Sequence, residues 1–251
     1  MVTDPSDVTI VVAAHDEEQL LPRCLRAIAA LEGPPPEVIV VDNGSTDRTA
    51  ELAGGFAFVR VVREPMLGAV HAKAAGVAAA RGALIAILDA DSICQSDWLS
   101  RIRAAFAADA QLVGLTGPAR YMDGPAWAPV VIWSWYAWWR VVGFFARRAV
   151  YAVGTNVAFR REAYERSAGF DTRLLVGGDE IALFSSLSKV GATRYDPQLV
   201  VETDARRVNG GFLRFSWEVF FLHYVVNYTW CRLTGRTLLR KYPPGSSLAP
   251  R

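Results

Sequence analysis

The chain lacks the short signatures that identify several common chemistries. Its three cysteines, Cys24, Cys94 and Cys231, are odd in number and widely spaced. That pattern suits a reducing compartment and suggests neither a disulfide framework nor a zinc site. There is no Cys-x-x-Cys, no His-Glu-x-x-His and no Gly-x-Ser-x-Gly. No Gly-x-Gly-x-x-Gly follows an apolar run, which argues against dinucleotide binding. A net charge of +2 gives no reason to expect nucleic acid as a partner. No apolar run reaches the roughly 20 uninterrupted residues that span a bilayer. Residues 1–7 are polar and acidic, so no signal peptide is expected, and a cytoplasmic location is the expectation.

What the chain does have is a regular alternation over its first 117 residues. Apolar runs at 8–14, 38–41, 58–62, 84–88 and 112–116 read as strands. Between them, 17–31, 46–52, 68–81 and 96–107 read as helices, with Ser45 and Ser96 as expected N-caps. Gly33-Pro34-Pro35-Pro36 is a rigid turn within this rhythm. Strand, helix, strand in such order predicts an α/β fold with a mostly parallel central sheet flanked by helices. At 251 residues and 52% hydrophobic content, one large domain with an ample core is expected.

The second half changes character. Five of the eight tryptophans (Trp127, Trp133, Trp135, Trp138 and Trp139) fall within thirteen residues, and 212–233 is again apolar and aromatic. Arg232, Arg236, Arg240 and Lys241 cluster toward the end of the chain. Tryptophan flanked by arginine favours the headgroup layer of a membrane. Completing the core is the alternative use of such helices.

The chemistry centres on the run that ends Leu88-Asp89-Ala90-Asp91. Leu84-Ile85-Ala86-Ile87-Leu88 reads as a strand buried on both faces, delivering two carboxylates to its carboxyl end. In an open α/β sheet that end is where ligands bind. Two acids so close repel unless a cation shares them, and oxygen ligands suit Mg²⁺ or Mn²⁺. Asp179 and Glu180, following Gly177-Gly178, are a second acidic pair, placed as first-turn residues of a helix.

Five stretches in this order resemble the inverting glycosyltransferases of family 2, which have the GT-A fold. They are Val11-Val12-Ala13-Ala14-His15-Asp16-Glu17-Glu18, Val40-Val41-Asp42-Asn43-Gly44-Ser45-Thr46-Asp47, Leu88-Asp89-Ala90-Asp91, Gly154-Thr155-Asn156-Val157-Ala158-Phe159-Arg160-Arg161 and Gly178-Asp179-Glu180-Ile181-Ala182-Leu183. The resemblance spans residues 8 to about 205. It implies a single GT-A domain over 1–251: a nucleotide-binding half (1–117), an acceptor and catalytic half (118–211), and a C-terminal aromatic-basic helix and tail (212–251).

The resemblance also implies roles. The donor would be a UDP- or GDP-sugar, held by Ala13, Ala14, Glu17, Asp42, Lys73, Asp89 and Ala90. Mn²⁺ or Mg²⁺ would bind Asp91 and Asp89, with Asp91 the direct ligand. Gly154, Thr155 and Asn156 would line the acceptor, a saccharide or a lipid-linked molecule. Glu180 would be the catalytic base, with Asp179 the alternative because the usual acidic order is reversed here. Relatives often place a metal-binding histidine where this chain has Thr203; Asp204 or water would then complete the shell. Independently of the resemblance, position after the last strand makes Arg206 and Arg207 candidates for an anionic phosphate of donor or acceptor, with plain surface solvation the alternative. Composition makes the aromatic segments candidates for a peripheral contact on the inner face of a membrane.

Two other classes share parts of this pattern. A phosphatase of the haloacid dehalogenase type also ends an apolar strand in Asp-x-Asp. There, however, the motif follows the first strand, and here three strand-helix units precede it. A nucleotidyltransferase would show a Gly-rich basic loop after its first strand, where residues 13–18 are acidic. A non-catalytic, membrane-associated protein that keeps the fold is the remaining alternative.

Overall fold

The computed structural model describes residues 7–146, 149, 151–175, 177–206 and 208–239. Arg207, Arg240 and Lys241 lie outside the described residues, as does the side chain of Arg232. In chain order the first half runs β1 (Val8–Ala14), α1 (Leu21–Ala29), β2 (Glu37–Asp42), α2 (Thr49–Gly54), β3 (Val59–Arg63), α3 (Ala69–Ala79), β4 (Leu84–Asp89), β5 (Ser92–Cys94), α4 (Trp98–Ala108) and β6 (Leu112–Thr116). The second half adds β7 (Ala119–Tyr121), α5 (Trp127–Ala146), β8 (Val157–Arg160), α6 (Arg161–Arg166), α7 (Asp179–Leu187), β9 (Ala192–Tyr195) and β10 (Val201–Thr203). It closes with α8 (Phe212–Arg214), a π-helical stretch (Phe215–Asn227) and α9 (Tyr228–Thr234).

Seven strands form the central sheet in the order β3-β2-β1-β4-β8-β6-β9. All neighbours are parallel except β8, which runs against β4 and β6. The crossovers behave as the apolar rhythm predicted, because strands buried on both faces need helices above and below. Val8, Ile10, Val12 and Ala14 of β1 pack with α1 and α4 on one face. Val11 packs with α3, α6 and α7 on the other. Gly76 sets the α3 contact: a Cβ there would lie 2.2 Å from Val11 Cγ1, so only glycine lets the helix rest directly on β1.

Both expected serine caps are replaced. Ser45 Oγ accepts from Asp16 N (3.1 Å), and α2 starts later, where Asp47 Oδ1 accepts from Thr49 N (2.9 Å). Ser96 Oγ instead donates to Glu32 Oε1 (2.6 Å), and α4 begins at Trp98. Helix α1 begins four residues later than the run from Glu17, since Glu17 O is taken up by a turn to Leu20 N and Leu21 N.

A second, three-stranded sheet, β5-β10-β7, stands beside the first. Its register sets Thr203 opposite Ser92, next to Asp91. Helix α5 divides its aromatics. Trp135, Tyr136 and Trp139 meet Tyr151, with Trp139 stacked on it at 5.9 Å. Trp133, Trp138, Phe144 and Phe145 are exposed. One side of the helix thus helps complete the core, as one of the two expectations had it, while the other side is open. Among the described residues, no helix is long and apolar enough to cross a membrane.

Candidate functional site

Register alone gathers the first group of residues. Ala14 pairs with Asp42, and Ala13 with Asp89, so the carboxyl ends of β1, β2 and β4 form one rim. Ala14 and Ala90 turn their methyl groups into the core, and what they present at the rim is backbone. Asp42 is buried, with Oδ1 accepting from Ser45 N (3.2 Å). The turn beyond it is pinned by Asn43, whose Nδ2 donates to Glu64 O and Met66 O (3.0 and 2.7 Å) while Oδ1 accepts from Gly68 N (2.8 Å).

The second group forms where the small sheet meets the large one. Asp89 N donates to Thr155 Oγ1 (3.0 Å), which is 2.6 Å from Ser92 Oγ, so the turn carrying both aspartates is held from behind. Asp91 Oδ1 accepts from Thr203 Oγ1 (3.3 Å). Asp91 Oδ2 accepts from Arg206 Nη2 (2.7 Å), and the same guanidinium takes both oxygens of Glu17, at 2.5 and 3.2 Å. Arg206 lies 189 residues from Glu17, so only the folded chain reveals these partners. Burial, reinforced by the charges of Asp91 and Asp89, pushes Glu17 up to about 7 despite Arg206. Asp204 Oδ1 accepts from Arg206 N (2.8 Å).

The third group lies on α7. Gly177 and Gly178 both have positive φ (73° and 85°), a bend that starts the helix at Asp179 and brings both acids into its first turn. Asp179 Oδ2 accepts from Lys73 Nζ (3.0 Å), and all three side chains are buried. The resemblance implies that Lys73 meets the donor; the structure pairs it with the acids of α7. Burial works against both carboxylates. At Asp179 it is outweighed by Lys73 and a hydrogen bond from Glu180, which hold the group below its ordinary value. At Glu180, burial and the neighbouring Asp179 charge push it well above. Burial alone would lower Lys73, but the fields of Asp179, Asp89 and Glu180 raise it.

Gly154 sits against this group: a Cβ there would be 3.3 Å from Lys73 Nζ and 3.4 Å from the Glu180 carboxyl. Asn156, expected beside it at the acceptor, is turned inward. Its Oδ1 accepts from Trp98 Nε1 (3.0 Å) and its Nδ2 donates to Pro118 O and Leu199 O (3.2 and 2.6 Å), with no side-chain surface exposed. Thr155 is likewise occupied with the Asp89 turn. A cavity of about 600 Å³ opens under α5, lined by Trp133, Tyr136, Trp139, Arg140, Tyr151 and Tyr195 among others. Burial, reinforced by the charge of Glu180, pushes the Tyr151 hydroxyl above its ordinary value.

Do these residues fit a divalent cation? Among the described residues, no three His, Cys, Asp or Glu side chains converge to enclose an ion by themselves. Mg²⁺ and Mn²⁺ need no such cage, since one or two carboxylates and substrate phosphates suffice. Asp91 on the rim, a neighbouring Asp89 and a guanidinium already drawn to that spot make an oxygen-rich, cation-seeking site. The donor set fits.

The family model described as Glycosyl transferase family 2 matches residues 9–167. The chain is 31% identical over 208 residues to the succinoglycan biosynthesis protein ExoO of Rhizobium meliloti (strain 1021), covering 76% of this chain and 58% of that protein. It therefore spans a little over half of that relative's length. It is 34% identical over 180 residues to the uncharacterized glycosyltransferase Rv0539 of Mycobacterium tuberculosis (strain ATCC 25618 / H37Rv), covering 67% of this chain and 77% of that one. Among solved structures, mannosyltransferase PcManGT from Pyrobaculum calidifontis, in complex with GDP-Man and Mn²⁺, superposes with a TM-score of 0.68 at 22% identity, covering 97% of this chain and 67% of that chain. S. aureus TarS 1-349, in complex with UDP-GlcNAc, gives 0.62 at 13%, covering 93% and 68%. At such identities the likeness is one of fold.

Proposed function

Because this chain belongs to glycosyl transferase family 2, we propose that it moves a sugar from a nucleoside diphosphate to an acceptor hydroxyl or phosphate, with inversion at the anomeric carbon. One observation carries the proposal: α3, which rests on the donor-rim strand β1, brings buried Lys73 to within 3.0 Å of Asp179 Oδ2, with Gly154 packed against both Lys73 and Glu180. That arrangement joins a donor rim to a candidate base across a single buried lysine.

In this reading the donor base lies over Ala13, Ala14 and Asp42, and Glu17 receives the ribose. Asp91, with Asp89, would hold Mn²⁺ or Mg²⁺, which as a Lewis acid neutralises the departing diphosphate. Glu180 takes the acceptor's proton, and its raised proton affinity makes it a stronger base than an exposed carboxylate once ionised. Lys73 fixes Asp179 beside it and Gly154 leaves room for the acceptor. A second reading makes Asp179 the base, favoured by its being the ionised member of the pair.

The aromatic cavity beside Tyr151 supports an apolar, lipid-linked acceptor. The exposed Trp133, Trp138, Phe144 and Phe145 of α5 support a peripheral contact with the inner face of a membrane.

The test is thermal stabilisation by UDP-, GDP- and dTDP-sugars with and without Mn²⁺, followed by transfer assays. One donor should stabilise the native chain in a metal-dependent way, and Asp91→Ala should abolish the shift. Glu180→Gln should keep the shift and lose transfer; full transfer by this variant would move the base to Asp179. No shift with any sugar nucleotide would sink the proposal.

A further inference from the structure

Arg206, a candidate phosphate contact by its place in the sequence, is engaged instead by two acids of the donor rim. Its Nη2 reaches Glu17 Oε1 and Asp91 Oδ2 at 2.5 and 2.7 Å, and Nη1 reaches Glu17 Oε2 at 3.2 Å. All three side chains are at most 13% exposed. Two carboxylates this dry and this close are costly to keep charged without a cation between them. A divalent ion on Asp91 and a guanidinium on the same carboxylate are like charges competing for one set of lone pairs.

We propose that Arg206 is the site's stand-in cation: it neutralises Glu17 and Asp91 while no donor is bound, and transfers to the donor diphosphate when a divalent ion takes Asp91. This rests on the donor-site reading above. Three features support it. The guanidinium fork matches phosphate oxygens as well as it matches carboxylates. The residue lies on the irregular stretch between β10 and α8, with its backbone N–H tied to Asp204 and the preceding Ala205 buried. A long side chain can therefore swing from a fixed root. Finally, register puts Thr203 against Ser92, so the root is anchored next to Asp91.

The consequence is energetic coupling. Without nucleotide, an incoming ion must evict an arginine that gains nothing by leaving. With a diphosphate present, the arginine has a second partner, and ion and nucleotide help each other reciprocally.

Mn²⁺ binding to the full chain, followed by the electron paramagnetic resonance signal of free Mn²⁺, tests this with no nucleotide, with UDP and with GDP. Arg206→Gln should tighten nucleotide-free Mn²⁺ binding roughly tenfold and shrink the factor by which nucleotide tightens it further. A merely structural arginine would give weaker binding when removed. Unchanged or weaker nucleotide-free binding in Arg206→Gln overturns the proposal while leaving the donor site intact. Failure of the native chain to bind Mn²⁺ with either nucleotide overturns the donor-site reading and this one together. If Arg206→Gln does not fold, Arg206→Lys is measured instead. It keeps the charge but loses the fork, and should tighten binding a few-fold; no change would again be decisive against the idea.

Discussion

Replacing Lys73 with methionine isolates the buried ion pair, because methionine keeps much of the stem's volume and removes the charge. At 3.0 Å and an effective dielectric of 20, the attraction to Asp179 is about 5.5 kcal/mol. The folded variant has a cheaper escape than leaving that carboxylate charged and unpaired: it can protonate Asp179. Relative to an unfolded aspartate near 3.9, taking up a proton at pH 7 costs about 4 kcal/mol. The smaller figure sets the ceiling, and relief of the lysine's own desolvation brings the expected loss to about 2–4 kcal/mol. For a chain of this size that is roughly 5–15 °C in Tm.

The sign of the pH dependence follows. In the native chain Asp179 is depressed, so its stabilising contribution is present above the ordinary aspartate range. In Lys73→Met it is raised, so the deficit is greatest at neutral pH and shrinks as pH falls, to about 1.5 kcal/mol or less at pH 5. Urea unfolding of both chains at pH 5 and pH 7 measures this. Adding Asp179→Asn should recover most of the loss at pH 7. An equal deficit at both pH values would mean lost packing rather than lost charge, and would refute the reasoning.

Glu17, raised to about 7, makes the ligand-free fold bind more protons than the unfolded chain between about 4.5 and 7. Stability should therefore fall by up to roughly 3 kcal/mol as pH rises through that window. Glu17→Gln should flatten the slope, and an unchanged Tm-versus-pH curve would dismiss the effect. Asn156→Ala orphans Trp98 Nε1 and the carbonyls of Pro118 and Leu199. A loss of roughly 3–5 kcal/mol is expected in urea unfolding, whereas less than 1 kcal/mol would mean water replaces the amide. Co-sedimentation with anionic phospholipid vesicles should drop when Trp133, Phe144 and Phe145 become serine. A native chain that stays in the supernatant rules out membrane contact through α5.

The strand-helix rhythm was legible because burial on both faces leaves a continuous apolar run, a purely local signal. Leu84 to Leu88 announced a strand with acids at its tip, and β4 with Asp89 is that strand. Gly177-Gly178 announced a helix start, and α7 begins there. Capping was less legible. Ser45 and Ser96 have the right chemistry, but partners distant in sequence, Asp16 and Glu32, claim their hydroxyls.

What only tertiary structure decided is who faces whom. Asn156 looks like a ligand-binding amide in sequence, yet the closeness of Trp98, Pro118 and Leu199 makes it an internal strut. Lys73 reads as a donor contact in sequence, and only the fold shows that α7, 106 residues later, gives it Asp179. Arg206 becomes part of the rim because β10 pairs with β5. Periodicity and local residue chemistry act within a few residues and so survive in the sequence. Electrostatic partnership depends on distances of a few ångströms between segments far apart in the chain, and folding alone fixes those.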